Sequence, residues 1–252
     1  MEVSKKNAAS KSGRVYMLDE IRGFAILCMV VYHAMFNLKY SFGVDVPIFF
    51  ESWFDIIRDI FAGAFIFISG IMCRYSHDNV RRGAQCFILG MLITFVVPFF
   101  GSDIKFGILH MLGISMMIYG LLSRFLEKIP PIVGFSVFAL LAAFTWNASN
   151  GFVGFGGSFR WDFPQKAHDV GVLYPLGILP NKFYSSDFFP LMPWLFVFLA
   201  GSFMGYWFKN GSMPRMFYNS HCKWLAAVGR ATIWIYILHV PLIYGIFSLI
   251  FR

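Results

Sequence analysis

Seven stretches of the 252-residue chain are long and apolar enough to cross a bilayer, near residues 18–38, 53–73, 83–101, 106–124, 129–147, 188–208 and 228–250. Within hydrocarbon every backbone N–H and C=O must be satisfied by the protein itself, and an isolated apolar run of about twenty residues does so only as a helix. The expected fold class is therefore all-α, a polytopic membrane helix bundle of about seven transmembrane helices. The connection 148–187 leaves room for one or more re-entrant segments. Composition agrees: charged residues make up 13% of the chain, against roughly 25% in an average soluble domain.

The chain carries a formal net charge of +8, which would suit a nucleic-acid partner. Most of this charge falls instead in the tails and short loops between apolar runs, where it orients a membrane protein, so no nucleic acid is expected. Residues 1–16 hold Lys5, Lys6, Lys11 and Arg14 among small polar residues and read as a disordered basic cytoplasmic tail. A cleaved signal peptide fits poorly, because acidic residues open the next run and no convincing cleavage site follows. One set of short connections carries Arg74, Arg81 and Arg82, then Arg124 and Lys128, then Lys209, Arg215 and Lys223. That set belongs on the cytoplasmic side, which places the N-terminus inside and the C-terminus outside. Cys73, Cys86 and Cys222 then lie toward the cytoplasm and Cys28 within the first span, so reduced thiols are expected.

The first span holds the most informative pair. Arg22 and His33 are eleven residues apart, about three helical turns, which puts both on one face roughly 16 Å apart along the axis. An ionisable side chain at that depth is a functional-site candidate by default. Other spans supply companions. His110 is expected about 7 Å into its span, and His239, on a helix read as continuous from Lys223, about 24 Å from the cytoplasmic side. Asp55, Arg58 and Asp59 stand at i, i+3 and i+4 at the start of the second span, spacing that also suits a simple ion-pair cluster. Asp187 opens the sixth span, where an N-cap role is the plain alternative. Pro190, Pro193 and Pro241 are expected inside spans, freeing carbonyls that line a cavity.

Three familiar chemistries fit poorly. The histidines lack paired spacing such as His-x-x-x-His, so no metal is expected. Ser69 sits in no nucleophile-elbow sequence. The glycine-rich run 151–157 is followed by no Lys-Ser or Lys-Thr and lacks the strand-to-helix setting of a phosphate loop.

Five segments in order resemble a known family. Leu18-Asp19-Glu20-Ile21-Arg22-Gly23, followed after ten residues by His33, resembles the opening of integral-membrane acyltransferases, and Phe65-Ile66-Phe67-Ile68-Ser69-Gly70 their second helix. The segments Phe106-Gly107-Ile108-Leu109-His110-Met111-Leu112-Gly113 and Asp187-Phe188-Phe189-Pro190-Leu191-Met192-Pro193-Trp194 are similar to bacterial relatives of heparan-α-glucosaminide N-acetyltransferase. Gly229-Arg230-Ala231-Thr232-Ile233-Trp234, continuing through His239 to Pro241, resembles the closing helix of that group.

The resemblance implies a single transmembrane acyltransferase domain over 17–252. It would move acetyl from cytoplasmic acetyl-CoA to an amino sugar on the far side of the membrane, as a multi-pass protein of a bacterial cytoplasmic membrane. Lysosomal animal members carry asparagine at the position of His33 and their histidine later. The Arg22–ten–His33 spacing follows instead the bacterial O-acyltransferases of acyltransferase family three, so a hydroxyl on a cell-envelope glycan stands as an alternative acceptor.

In this reading His33 is the central base or acetyl carrier, with Asp187 and His110 orienting it. Arg22, Arg74 and Arg230 hold the CoA phosphates. Asp55, Arg58, Asp59, Trp194 and His239 meet the acceptor. Expected partners are membrane lipid, the CoA donor, a glycan acceptor and, as an option, a second copy of the chain. A proton-coupled transporter of small solutes and a structural subunit are the competing classes.

Overall fold

The computed structural model describes residues 14–251; the tail expected over 1–16 lies outside them except for its last three residues. Seven helices are long and apolar enough to span a membrane. They are α1 (Tyr16–Tyr40), α2 (Ser52–Cys73), α3 (Asn79–Val96), α4 (Ile108–Leu126), α5 (Pro131–Phe144), α7 (Leu191–Lys209) and α9 (Thr232–Ile250), the spans of α3 and α5 continuing through shorter turns to Phe100 and Asn150. Two shorter helices intervene, α6 (Gln165–Asp169) and α8 (Lys223–Arg230). The connection 148–187 contains α6 and a small antiparallel hairpin, β1 (Phe152–Gly156) with β2 (Phe159–Asp162), rather than a re-entrant helix. All four cysteines are free.

Local signals set the boundaries. Asp78 caps α3 by accepting the Arg81 N–H at 3.0 Å, and Pro131 occupies the first turn of α5, where a missing N–H is harmless. Two expectations change here. Pro190 is the N-cap of α7 and Pro193 lies in its first turn beside the non-helical Met192, so only Pro241 is interior to a helix. The helix read as continuous through Arg230 breaks at Ala231, and His239 stands seven residues into α9, roughly 11 Å from its start.

The helices pack as α1 on α2 and α8, α2 on α7, α3 on α4, α5 on α7, and α9 on α1. Without a hydrophobic drive between helices in lipid, close backbone approach carries much of the packing, and it needs small residues. A Cβ on Gly70 of α2 or Gly201 of α7 would collide with the facing carbonyls of Phe198 and Phe67. Gly23 and Gly229 join α1 to α8 in the same way, against the carbonyls of Leu225 and Asp19. At this Tyr16 end, the Glu20 carboxylate accepts the backbone N–H groups of His221 and Cys222 at 2.7 and 2.8 Å, which seats α8. At the opposite, Tyr40 end the strand-like run through Phe106 pairs with Phe188, and Ser186 donates to the Asp103 carbonyl at 2.9 Å. That pairing brings Asp187 into the bundle.

Candidate active site

A cavity of about 1140 Å³ runs along the inside of the bundle between α1, α2, α3, α4 and α9. Its walls follow helical periodicity. Arg22, Ile26, Met29, His33 and Phe36 form one stripe of α1, and Arg82, Gln85, Leu89 and Leu92 one stripe of α3. The cavity has two polar ends and an apolar waist of residues such as Met29, Phe65, Leu89 and Leu112.

The Tyr16 end is cationic. Arg22 donates through Nη2 to the Thr232 hydroxyl at 2.9 Å and lies over the Phe65 ring, with its centre 5.5 Å from the centroid. Its Nε is buried without a hydrogen-bond partner among the described residues. Arg82 lines the same end, is exposed, and has no ion pair among the described residues. A half-buried guanidinium with an unused N–H beside a second guanidinium is suited to an anion that brings its own acceptors.

The opposite end holds His33, Arg58 and Asp187. His33 is 6% exposed; its ring meets Tyr32 edge-on, with centroids 5.6 Å apart, and lies against His239 at 5.0 Å. The imidazole makes no hydrogen bond among the described residues. Arg58 donates to Asp55 at 2.9 Å, to Asp59 at 3.0 Å and to the Tyr32 hydroxyl at 3.1 Å, which fixes its guanidinium beside the cavity. Asp187 Oδ2 accepts the Tyr236 O–H at 2.8 Å and the Ile108 N–H at 3.2 Å.

Asp187 therefore caps α4 from a distant segment, whereas α7, the helix that follows it, has Pro190 at its N-cap position and no side-chain cap. An anion at a helix N-terminus is favourable. Burial nevertheless pushes the Asp187 carboxyl above its ordinary value, opposed by the Tyr236 hydroxyl, the Ile108 N–H and the nearby His239 and His110.

The sequence-derived candidates divide accordingly. Arg22, His33, Arg58 and Asp187 all line the cavity. Asp55 and Asp59 stand behind Arg58 as its ion-pair partners. His110 lies in the first turn of α4, shallower than expected, with its ring between Phe87 and Phe106 and its Nε2 3.4 Å from the Thr94 hydroxyl. His239 sits behind His33, outside the cavity wall. Trp194 is buried against Trp146 and Phe189.

The two remaining arginines are elsewhere. Arg74 donates to the Ser202 carbonyl at 2.9 Å, covers the Phe203 ring and lines a separate polar recess with Lys209. Arg230 is exposed on α8. The cavity instead recruits Arg82, Gln85, Ser185, Ser186 and Tyr236. Arg82 could have been found from its spacing to Cys86 and Leu89, which continues the apolar stripe of α3 by one turn. Ser185, Ser186 and Tyr236 carry no such local signal.

Among the described residues, no group of three or more His, Cys, Asp or Glu side chains is arranged to hold a metal ion. The family model for heparan-alpha-glucosaminide N-acetyltransferase, catalytic, matches residues 14–241. No curated protein and no solved structure matches the chain significantly.

Proposed function

The chain belongs to the heparan-α-glucosaminide N-acetyltransferase catalytic family, and from that membership we propose that it transfers acetyl from acetyl-CoA, held at the Tyr16 end, to an amino sugar entering from the Tyr40 end. The observation that carries this reading is the single cavity joining a pair of arginines to His33, Arg58 and Asp187. Arg22 and His33 are separated by roughly 16 Å of helix, so a donor must be long and narrow, anionic at one end and reactive at the other. CoA has that form. The positive-inside argument puts the arginine end in the cytoplasm, where the donor is made.

Arg22 and Arg82 hold phosphate oxygens by charge-assisted hydrogen bonds. The apolar waist excludes water from the thioester. His33, neutral at the outset, removes a proton from the acceptor nitrogen as that nitrogen attacks the thioester carbonyl carbon; a histidine suits this work near neutral pH. The new C–N bond forms, the C–S bond breaks, and His33 returns its proton to the departing thiolate, leaving CoA with a free thiol. Arg58 and Asp187 flank this end and bind the sugar's hydroxyls.

The Arg22–ten–His33 spacing supports a second reading, in which the nucleophile is a glycan hydroxyl and the product an ester. Mild alkali cleaves an acetyl ester and spares an amide, so treating the labelled product distinguishes the two.

The test of the main reading is His33→Ala in purified protein given radiolabelled acetyl-CoA and a glucosaminide acceptor. Transfer is expected to fall at least a hundredfold, the scale of a lost general base, while CoA binding persists. Retained turnover would overturn the assignment. Movement of an unmodified solute across liposomes without acetyl-CoA would favour a carrier instead.

A further inference from the structure

His239 belongs to no wall of the cavity, yet one of its nitrogens is unused in a place where that is expensive. Its Nδ1 lies 2.7 Å from the Tyr236 carbonyl oxygen. A carbonyl only accepts, so Nδ1 carries the hydrogen and Nε2 is left as a bare lone pair. That Nε2 is buried and has no hydrogen-bond partner among the described residues. An unpaired buried acceptor has lost its hydration with nothing in return, and such a group calls for a partner.

The ring lying against His239 is that of His33, with centroids 5.0 Å apart. Two imidazoles joined by an N–H···N bond of about 2.9 Å have centres about 5 Å apart, once a ring radius is added at each side. No hydrogen bond joins the rings in the resting structure, and catalytic hydrogen bonds commonly tighten only when substrate is bound.

We propose that His239 is the positioning residue for His33: its Nε2 accepts the N–H of His33, so that the other His33 nitrogen faces the cavity as a lone pair. The inference rests on the reading of His33 as the base. Arg58 on α2 places a fixed positive charge near His33, and Asp187 faces His239 from the segment before α7. Tyr32 and Tyr236 are the other titratable groups against the two rings. When His33 takes the acceptor's proton beside Arg58, both of its nitrogens bear hydrogen, and the bond to His239 steadies that cation until the proton passes to the leaving thiolate. His239 itself gains and loses no proton.

His239 is held in turn from its own helix. Its Nδ1–H is fixed by the Tyr236 carbonyl, and the Tyr236 side chain is fixed by Asp187. This is the arrangement expected of a group that must present one lone pair in one direction.

The test compares His239→Gln with His239→Met, side chains of similar length of which only the first offers an amide oxygen near the place of Nε2. Acetyl transfer and the labelling of His33 by diethyl pyrocarbonate, mapped by mass spectrometry with and without bound CoA, are both measured. His239→Met is expected to lower kcat about tenfold to a hundredfold, by analogy with metal-bound histidines that lose the partner fixing their tautomer, with KM for acetyl-CoA within about twofold, and to slow labelling of His33. His239→Gln is expected to recover most of both.

Unchanged kcat and labelling in His239→Met would overturn the proposal, as would equal loss in both variants at unchanged melting temperature. Should the substituted proteins fail to fold, ¹⁵N shifts of His33 in the unsubstituted protein with CoA bound decide: one fixed neutral tautomer supports the proposal and an even mixture overturns it. His33→Ala run in parallel separates the two layers. Turnover without His33 sinks the function assigned to it, whereas an inactive His33→Ala beside a fully active His239→Met sinks only the role of His239.

Discussion

Asp187 and Tyr236 meet through a 2.8 Å hydrogen bond that ties the segment before α7 to the closing helix α9. The same carboxylate oxygen receives the first N–H of α4. Three parts of the chain are thus fastened at one buried atom beside the cavity. Asp187→Ala should leave both donors unpaired, at about 1–3 kcal/mol each. Tyr236→Phe should remove one bond and leave Asp187 its other donor, for a loss nearer 1 kcal/mol. Thermal melting in detergent is expected to rank the two in that order. A larger drop for Tyr236→Phe would show that α9 is held by something other than this bond.

The raised carboxyl of Asp187 gives stability a pH signature. Its folded-state value lies above the unfolded one, so the folded protein binds the extra proton. The cost of burying the charge is absent below the unfolded value, near pH 4. It grows as pH rises through the folded value and is constant above it. Asp187→Asn keeps an acceptor oxygen and removes the charge. The melting temperature of Asp187→Asn minus that of the parent should therefore climb as pH rises from about 4 and then level off. A flat difference would mean that the helix N-terminus and the two donors fully offset burial.

Much of the bundle was legible because its signals are local. The apolar runs fix the spans, and the eleven-residue spacing of Arg22 and His33 puts both on one face of α1, the face that lines the cavity. The ion pairs of Arg58 follow from spacing alone. What escaped depends on which elements meet. Asp187 precedes α7 but caps α4, because the pairing of Phe106 with Phe188 carries it there. Arg74 and Arg230 lie on the expected end of the bundle, yet Arg74 turns to a carbonyl of α7 and Arg230 rides on the exposed face of α8. The break at Ala231 has no proline, and so the depth of His239 was misjudged.

The donor reading makes the arginines unequal. Arg22→Gln and Arg82→Gln should each weaken CoA binding about tenfold to a hundredfold, the equivalent of a charge-assisted hydrogen bond worth about 1.5–3 kcal/mol. The affinity of the parent should fall with added salt, since Arg82 is exposed and screened. Arg74→Gln and Arg230→Gln should bind CoA within about twofold of the parent. Calorimetry with CoA in place of acetyl-CoA measures all four without turnover. Equal effects at all four positions would point to a diffuse electrostatic attraction and remove Arg22 and Arg82 from any specific role.

The seam between α1 and α8 offers a test of packing that reaches the site. A Cβ at Gly229 would run into the Asp19 carbonyl, a backbone group with no flexible side-chain end to yield. Gly229→Ala must therefore push the two elements apart, and overpacking of this kind costs about 1–3 kcal/mol. Gly245, on α9, has nothing within 4 Å of the same added atom. Gly245→Ala should be neutral or stabilising, by up to about 1 kcal/mol from helix propensity. The pair separates backbone contact from propensity within neighbouring helices. Because Arg22 lies one residue before Gly23 and donates to Thr232 at the start of α9, separating α1 from α8 should also loosen that bond. CoA affinity is then expected to fall in Gly229→Ala and to hold in Gly245→Ala. A destabilised Gly229→Ala with undiminished CoA affinity would show that Arg22 is positioned by α1 and α9 alone.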